Sequence, residues 1–229
     1  MPHSYQINDD QRPVLEIPAD RASLGLPSDG FIFCCFNATY KLSPTEFDLW
    51  MELLSRVEGS VLWLLAGSAR AQSNLRAEAK ARGVDPNRLV FAPKVKPEAH
   101  LARIQHADVF LDTFNCNAHT TASDALWAGQ PLITKAGKGL AARVGASLLH
   151  AIGLDQLIVF SDRDYVEKAL EMAQNGEKFA AVRETLQASR STMPLFNSAM
   201  FTRHIELAYD AAYDLYLTGQ PPTDIVVPT

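Results

Sequence analysis

The chain has 229 residues, of which 47% are hydrophobic and 21% are charged, a balance typical of a globular protein with one large core. The formal net charge of -5 disfavours nucleic acid and anionic membranes as partners, because both would repel the chain outside a local basic site. Cys34, Cys35 and Cys116 cannot all pair with one another, which favours a reduced, cytoplasmic chain. No apolar run approaches the roughly 20 residues that span a bilayer. Small-molecule chemistry is therefore the expected class of function.

Residues 1–27 are polar and interrupted by prolines, so we expect an extended lead-in there. Six short runs of apolar, β-branched and aromatic residues follow. They are continuous rather than alternating, as expected of strands that are covered on both faces of a parallel sheet. The six predicted strands comprise residues 30–36, 60–67, 88–92, 107–113, 131–134 and 156–160.

Amphipathic helical segments separate these strands. One of them begins at Ser43, followed by Pro44 and Glu46, the pattern of a capping box with proline in the first turn. The regular alternation of strand and helix predicts an α/β fold built on a Rossmann-like, doubly wound parallel sheet. The other helices of this part are expected over residues 73–83, 97–106, 120–128, 139–152 and 162–174.

Two more helices, over residues 176–190 and 197–219, follow with no strand between them. We therefore predict a Rossmann-like lobe over residues 28–190 and a C-terminal helix and tail over residues 191–229. The last helix carries aromatic residues at near-helical spacing, which indicates packing more often than ligand contact. They are Phe201, Tyr209, Tyr213 and Tyr216.

Ligands of open α/β sheets bind at the C-terminal ends of the strands, beside helix N-termini. The loop after the fourth strand leads to Thr120 and Thr121, where backbone N–H groups, two hydroxyls and the positive end of a helix dipole would meet a phosphate. His119 could donate to an anionic oxygen, and Asp124 could accept hydrogen bonds from ribose hydroxyls. The alternative is that Thr120 merely caps the helix.

Two other strand ends carry candidate ligand-binding side chains. Lys41 follows the first strand and offers a point charge for a phosphate, although a solvated surface lysine is the commoner case. His100 and Arg103 follow the third strand and lie three residues apart, on one helix face. Their planar side chains could bracket a nucleobase, or they could form an ordinary wet surface.

Two motifs favour structural explanations. The stretch 137–142 matches a dinucleotide pattern, but it follows the fifth strand rather than the first, so a tight turn with close packing explains it better. Asp162 and Asp164 follow Ser161 at a helix start, where acidic residues are common. The histidines and cysteines show no metal-ligand spacing, so no metal site is predicted.

Several segments, taken together in chain order, resemble a known family. The segments "CFNATYKLSP", "VLWLLAGS", "HADVFLDTFNCNAHTTASDALWAGQPLIT" and "PLFN" are similar to the C-terminal catalytic half of the O-GlcNAc transferase and SPINDLY glycosyltransferases. The resemblance spans nearly the whole chain. It implies the C-terminal, donor-binding lobe of a GT-B glycosyltransferase, an enzyme that transfers a sugar from a nucleotide to protein serine or threonine, without a metal and with inversion.

The resemblance also implies roles for individual residues. Lys41 and His119 would stabilise the leaving diphosphate as catalytic residues, Asp124 would bind the ribose, and His100 and Arg103 the base. UDP-GlcNAc is the expected donor, and no cofactor is expected. The implied nucleotide-sugar site comprises Lys41, Val95, Lys96, His100, Arg103, His119, Thr120, Thr121 and Asp124.

Two departures from the family leave the donor open. Ala38 stands where O-GlcNAc transferases commonly carry glutamine, and Pro97 stands where they carry lysine, with Lys94 and Lys96 nearby. A GDP-fucose-using SPINDLY-type enzyme, a nucleotide-sugar epimerase lobe and a non-catalytic nucleotide-binding domain are the alternatives. The family's N-terminal catalytic lobe and tetratricopeptide repeats are not in these residues, so we expect a lobe that binds UDP or a UDP-sugar weakly and is inactive alone, with acceptor proteins unknown.

A pH dependence is expected from the same assignment. If His100 and His119 both contact the diphosphate nucleotide, its affinity should weaken as pH rises from 5.5 to 8, because unperturbed histidine loses its charge in this range.

Overall fold

The computed structural model describes residues 1–13 and 20–228, and it contains one parallel sheet of six strands. All six predicted strands are present; five are a little shorter than their apolar runs, and the fifth is shifted by one residue at the same length. The strands are β1 (Ile32–Cys35), β2 (Val61–Leu65), β3 (Leu89–Ala92), β4 (Val109–Leu111), β5 (Leu132–Lys135) and β6 (Ile158–Val159).

The predicted helices are also present. α1 begins as the capping box predicts, with the Glu46 carboxylate accepting the backbone N–H of Ser43 at 2.7 Å. The helices are α1 (Pro44–Arg56), α2 (Ala69–Ala81), α3 (Pro97–Ile104), α4 (Thr120–Trp127), α5 (Val144–Ala151), α6 (Asp162–Gln174), α7 (Gly176–Ser189) and α8 (Ser198–Leu217).

The strands are ordered β3-β2-β1-β4-β5-β6, and every adjacent pair is parallel. This is the Rossmann order, which confirms the predicted α/β, doubly wound fold. Helix α1 packs against α6, and α3, α4 and α5 contact one another in succession. Crossovers between parallel strands are almost always right-handed, so crossovers that run in opposite directions from β1 are expected to place helices on both faces of the sheet, which explains why the strands are continuously apolar.

The core lies between the sheet and these helices, and it extends into the C-terminal region. Trp50, Trp63 and Phe110 are fully buried in it, and Leu195 and Phe196 of a 3-10 turn before α8 join the same core. The lead-in predicted over residues 1–27 is described only in part, because residues 14–19 lie outside the described residues. Its residues 1–13 contain no helix or strand and lie against α4 and the start of α8.

The aromatic side chains of α8 do not follow the packing prediction. Tyr209 is 68% exposed, Tyr213 is 61% exposed and Tyr216 is 76% exposed. The prediction that this stripe packs is therefore wrong for these three tyrosines in the described chain, because α8 extends beyond the elements that could cover it. Phe201 is partly buried near the start of the helix.

Candidate functional site

The strand order reverses between β1 and β4, and this reversal determines where a ligand can bind. β1 and β4 are adjacent, with Phe33 opposite Val109 and Cys34 opposite Phe110. The chain leaves β1 toward one side and β4 toward the other, so their C-terminal loops open a crevice. Lys41 lies in the loop after β1, and the segment before α4 follows β4. The topology therefore brings two separately predicted loops to one site.

Lys41 is anchored to the loop that follows β4. Its half-buried ammonium donates a hydrogen bond to the carbonyl oxygen of Asn117 at 2.8 Å. Asn117 is itself buried, and its Nδ2 donates to the carbonyl oxygen of Thr113 at 2.6 Å. Since an ammonium has three donors, Lys41 has donors besides the one bound to Asn117 beside the start of α4.

Helix α4 presents its first turn to this crevice. His119 occupies the N-cap position and makes no side-chain capping hydrogen bond, and Thr120 is the exposed first helical residue. The alternative in which Thr120 only caps the helix is therefore wrong. Thr121 donates its hydroxyl proton to Oδ1 of Asn37 at 2.7 Å. The hydroxyl proton is therefore engaged, and a ligand at Thr121 would have to use the backbone N–H.

A buried carboxylate, Asp112, organises the loop between β4 and α4. Its Oδ1 accepts the backbone N–H groups of Thr113 at 2.9 Å and Ala118 at 2.6 Å, and its Oδ2 accepts the Thr134 hydroxyl at 2.7 Å. Complete burial raises the pKa of Asp112 to about 7, against the lowering effect of these hydrogen bonds. A Cβ atom at Gly145 would lie 2.5 Å from Oδ2, so only glycine permits this approach.

Asn37 links the ends of β1 and β4. Its Nδ2 donates to the Thr113 hydroxyl at 2.7 Å while its Oδ1 accepts from Thr121. Asn37 and Asp112 are 3% and 0% exposed and were not among the predicted site residues. The signal that could have found them is a polar residue at the end of a buried strand, since such groups need hydrogen-bond partners. Their network fixes the position of the α4 N-terminus.

His100 and Arg103 lie together on α3, as their spacing predicts. The Arg103 Nε donates to Nδ1 of His100 at 3.3 Å, and its Nη1 donates to the carbonyl oxygen of Pro93 at 2.6 Å. Arg103 is only 6% exposed and lies 5.2 Å from the ring centroid of Phe36. Arg103 therefore holds His100 and the end of the β3 loop, whereas Val95 and Lys96 of that loop are exposed.

The two imidazoles have lowered pKa values, which bears on the pH dependence expected from the sequence. Burial, reinforced by the positive charge of Arg103, lowers the pKa of His100 to about 4. Burial and the charge of Lys41 also lower the pKa of His119. His100 is therefore already neutral at pH 5.5 in the ligand-free chain, and the expected loss of affinity between pH 5.5 and 8, which would come from His119, stays a prediction.

Asp124 lies one turn into α4, and its carboxylate pairs with Arg12 from the N-terminal segment. The hydroxyl of Tyr5, in the same segment, is 3.0 Å from Nδ1 of His119. Neither partner is predictable from the sequence, since nothing local connects residues 5 and 12 with α4.

The stretch 137–142 and the segment from Ser161 to Asp164 both have the structural roles that the sequence predicts. The N–H of Gly137 donates to the carbonyl oxygen of Ala142 at 2.7 Å, and a Cβ at Gly137 would lie 2.6 Å from that of Ala142. The Ser161 hydroxyl accepts the N–H of Asp164 at 3.1 Å, and Asp162 pairs with Lys135. The first is a tight turn with close packing, and the second is a capped helix start.

Across residues 1–13 and 20–228, no cluster of three histidine, cysteine or acidic side chains has the arrangement needed to hold a metal ion. In the same described ranges, no helix combines the length and apolar character that crossing a bilayer requires.

The fold and the site together define a class: α/β proteins with a Rossmann-like lobe, which carry a helix N-terminus and a ligand crevice at the strand-order reversal. Comparison with known families identifies the family within this class. The model of glycosyl transferase family 41 matches residues 6–205, so the chain belongs to that family. The resemblance to the C-terminal half of O-GlcNAc transferase and SPINDLY proteins is thereby confirmed.

Three curated relatives show how much of a longer protein the chain matches. It is 40% identical over 97% of its length to the probable UDP-N-acetylglucosamine–peptide N-acetylglucosaminyltransferase SEC of Arabidopsis thaliana, covering 23% of that protein. It is 33% identical over 96% of its length to the corresponding Caenorhabditis elegans transferase, covering 19%. It is 30% identical over 86% of its length to the probable SPINDLY transferase of Solanum lycopersicum, covering 22%. The chain thus spans about a fifth of each relative.

Solved structures agree with the fold. An O-GlcNAc transferase mutant of Thermobaculum terrenum is 28% identical with a TM-score of 0.77, over 90% of this chain and 38% of that one. The Anabaena protein HepE in complex with UDP-glucose has a TM-score of 0.65 at 16% identity, over 91% of this chain and 57% of that one, which is similarity of fold alone. These neighbours confirm the predicted lobe of a GT-B glycosyltransferase.

Proposed function

We propose that the chain is the donor-binding lobe of a metal-independent, inverting protein O-glycosyltransferase that uses UDP-GlcNAc. The observation that carries the proposal is the position of the Lys41 ammonium, bound to Asn117 beside the first turn of α4. A lysine and a helix N-terminus that converge at the strand-order reversal form a site for the phosphates of a nucleotide.

The remaining site residues fit the other parts of the donor. Asp124 would accept hydrogen bonds from the ribose hydroxyls. The base would lie between His100 and the exposed loop that contains Val95 and Lys96. Neutral His100 suits a base better than a phosphate, because its pKa of about 4 leaves no charge near neutral pH. Arg103 would act through His100, whose Nδ1 accepts its Nε–H.

The geometry supports an electrostatic mechanism. As the glycosidic bond to the diphosphate breaks, negative charge develops on the leaving oxygens. Lys41, the backbone N–H groups at Thr120 and Thr121, and His119 would stabilise that charge, and the effect is strongest in the transition state. We assign none of these side chains as the general base that deprotonates the acceptor hydroxyl. That group and the acceptor contacts would come from the N-terminal catalytic lobe.

UDP-GlcNAc is favoured over GDP-fucose by the names of the relatives. The Arabidopsis, Caenorhabditis and tomato proteins are all named as N-acetylglucosaminyltransferases that use UDP-N-acetylglucosamine. HepE, which shares the fold, was crystallised with UDP-glucose. The partners we propose are UDP or a UDP-sugar, an N-terminal catalytic lobe with tetratricopeptide repeats, and acceptor proteins.

Isothermal titration calorimetry of the 229-residue chain with UDP and GDP tests the proposal. We expect weak UDP binding that Lys41→Ala weakens by about 10-fold, because a charge-assisted contact to phosphate is lost. Lys80→Ala on α2 is the matched control and should leave the affinity unchanged. Absence of UDP binding at millimolar concentration, or an unchanged affinity in Lys41→Ala, would contradict the proposal. Tighter binding of GDP than of UDP would indicate a GDP-sugar, rather than UDP-GlcNAc, as the donor.

A further inference from the structure

The N-terminal segment, residues 1–13, crosses α4 and is held there by several hydrogen bonds. The Trp127 Nε1 donates to the carbonyl oxygen of Arg12 at 3.1 Å, and the Gln6 Nε2 donates to the Ser123 hydroxyl at 3.1 Å. The Asp10 carboxylate accepts the first backbone N–H of α8 at 3.1 Å. The segment therefore has a defined position on α4, and the side chain of Arg12 reaches the helix from a fixed backbone.

This segment contacts two side chains of the proposed donor site. The guanidinium of Arg12 pairs with the carboxylate of Asp124, and the hydroxyl of Tyr5 lies 3.0 Å from Nδ1 of His119. The Arg12 and Asp124 side chains are 21% and 16% exposed. An ion pair with so little exposure is screened less by water and salt than a surface pair.

Without Arg12, the charge of Asp124 would work against the proposed phosphate site. A carboxylate one helical turn from the N-terminus of α4 opposes the attraction of the helix dipole and Lys41 for an anion. A paired carboxylate still has lone pairs for neutral ribose hydroxyls. Pairing with Arg12 thus cancels the net charge of Asp124 and leaves its function as an acceptor.

We propose that Arg12 is a positioning residue of the donor site, which neutralises Asp124 and orients its carboxylate so that one helix turn binds both a ribose and a diphosphate. The inference rests on the proposed function, since it assigns Asp124 to the ribose. It extends the site to the segment before β1, which contributes charge rather than a direct contact with the sugar.

The test compares a charged with an uncharged ligand. UDP and uridine are titrated into the 229-residue chain by NMR chemical-shift perturbation, with Arg12→Gln, Arg12→Lys and a control. We expect Arg12→Gln to weaken UDP by about 10-fold and uridine by less than about 2-fold, because the lost charge acts on the phosphates. Arg12→Lys restores the charge and should return most of the UDP affinity.

Arg21→Gln is the matched control. Arg21 pairs with Asp108 at 3.3 Å, with side chains 24% and 14% exposed, at the opposite end of β4. The Arg21→Gln substitution removes an arginine of similar burial outside the donor site. The affinities for UDP and uridine should therefore both stay unchanged.

Asp124→Asn supplies a second, independent variant that keeps Arg12. It removes the opposing carboxylate, so the ratio of UDP to uridine affinity should rise, and in the Arg12→Gln background it should recover part of the lost UDP affinity. This variant keeps the test available if Arg12→Gln does not fold.

The outcomes separate the two proposals. Tighter UDP binding by Arg12→Gln would show that the N-terminal segment blocks the site, and equal losses for UDP and uridine would show a general structural role; either overturns the assignment of Arg12. If the wild-type chain binds UDP and Lys41→Ala weakens it while Arg12→Gln does not, only this inference fails. If the wild-type chain does not bind UDP, the proposed function fails and the inference with it.

Discussion

Arg103 helps to determine the protonation state of its neighbour His100. The neutral Nδ1 of His100 accepts the Nε–H of Arg103, so a proton on Nδ1 would oppose both that hydrogen bond and the guanidinium charge. The ring of His100 also packs edge-on against Phe36, with 4.8 Å between centroids. Burial and Arg103 together keep the imidazole neutral, which the spacing of two residues on a helix does not indicate.

This neutral histidine predicts a pH dependence of stability. The pKa of His100 is about 4 in the folded chain and about 6.5 in an unfolded one. The unfolded chain therefore takes up the proton first, so stability is fully present above about pH 6.5 and falls by roughly 2 to 3 kcal/mol as pH drops to about 4. Urea unfolding of wild type and His100→Gln between pH 4 and 7.5 measures the difference.

The comparison with His100→Gln is needed because Asp112 has the opposite effect. Its pKa is raised to about 7, so its contribution is present at low pH and is lost as pH rises toward 7. The variant removes only the histidine. The exposed His150 provides the control His150→Gln. A wild-type stability that follows His100→Gln in parallel across the range would refute the prediction.

At the scale of elements, α6 and α8 carry similar aromatic residues in different surroundings. Tyr165 on α6 is fully buried, where its hydroxyl accepts the Trp50 Nε1–H at 3.2 Å and donates to the carbonyl oxygen of Asp112 at 3.0 Å. Tyr213 on α8 is exposed and stacks on Tyr216, with 6.2 Å between ring centroids. Helix α6 thus supports the strand end of the site through Asp112, whereas the end of α8 has an open aromatic face.

The two tyrosines form a matched pair for mutation. Tyr165→Phe leaves a buried indole N–H and a buried carbonyl without their partner and should lower the free energy of unfolding by about 1 to 3 kcal/mol. Tyr213→Phe removes an exposed hydroxyl and should change it by less than about 0.5 kcal/mol. Chemical denaturation measures both. Equal effects of the two substitutions would mean that the Tyr165 hydroxyl does not hold α6 against the end of β4.

At the scale of the whole molecule, the proposed site lies at the C-terminal edge of the sheet, where the loops after β1 and β4 meet. The crevice at the ends of β1 and β4 holds the proposed donor residues, and the structure places the N-terminal segment beside them. The chain spans 19% to 23% of the first two relatives, so the rest of such a protein is available to close the crevice. A donor-binding lobe without an N-terminal catalytic lobe to position the acceptor should bind the donor and fail to transfer the sugar.

This predicts that binding and turnover separate in the 229-residue chain. UDP at about ten times its Kd should raise the Tm by about 3 to 6 °C through linkage, and Lys41→Ala should remove that shift. With UDP-GlcNAc and a serine-containing peptide, mass spectrometry should detect no glycosylated product. Transfer by the chain alone would disprove the expected dependence on an N-terminal lobe.

Local patterns in the sequence determined the elements and much of the site. The apolar runs predicted six strands, the Ser43–Glu46 capping box located the start of α1, and the rule that ligands bind at strand ends selected Lys41, Thr120 and Thr121. These signals work because hydrogen bonding, capping and periodicity involve residues a few positions apart. The family resemblance then added the donor and the roles of Val95 and Lys96, which remain predictions.

Only the tertiary structure decided which distant residues meet. It placed β1 beside β4, buried Asn37 and Asp112 beneath the proposed phosphate site, and brought Arg12 to Asp124 across 112 positions of the chain. It also left the aromatic face of α8 open. The physical reason is that strand order and long-range burial depend on the packing of the whole chain, whereas a pattern of neighbouring residues carries information only about its own element.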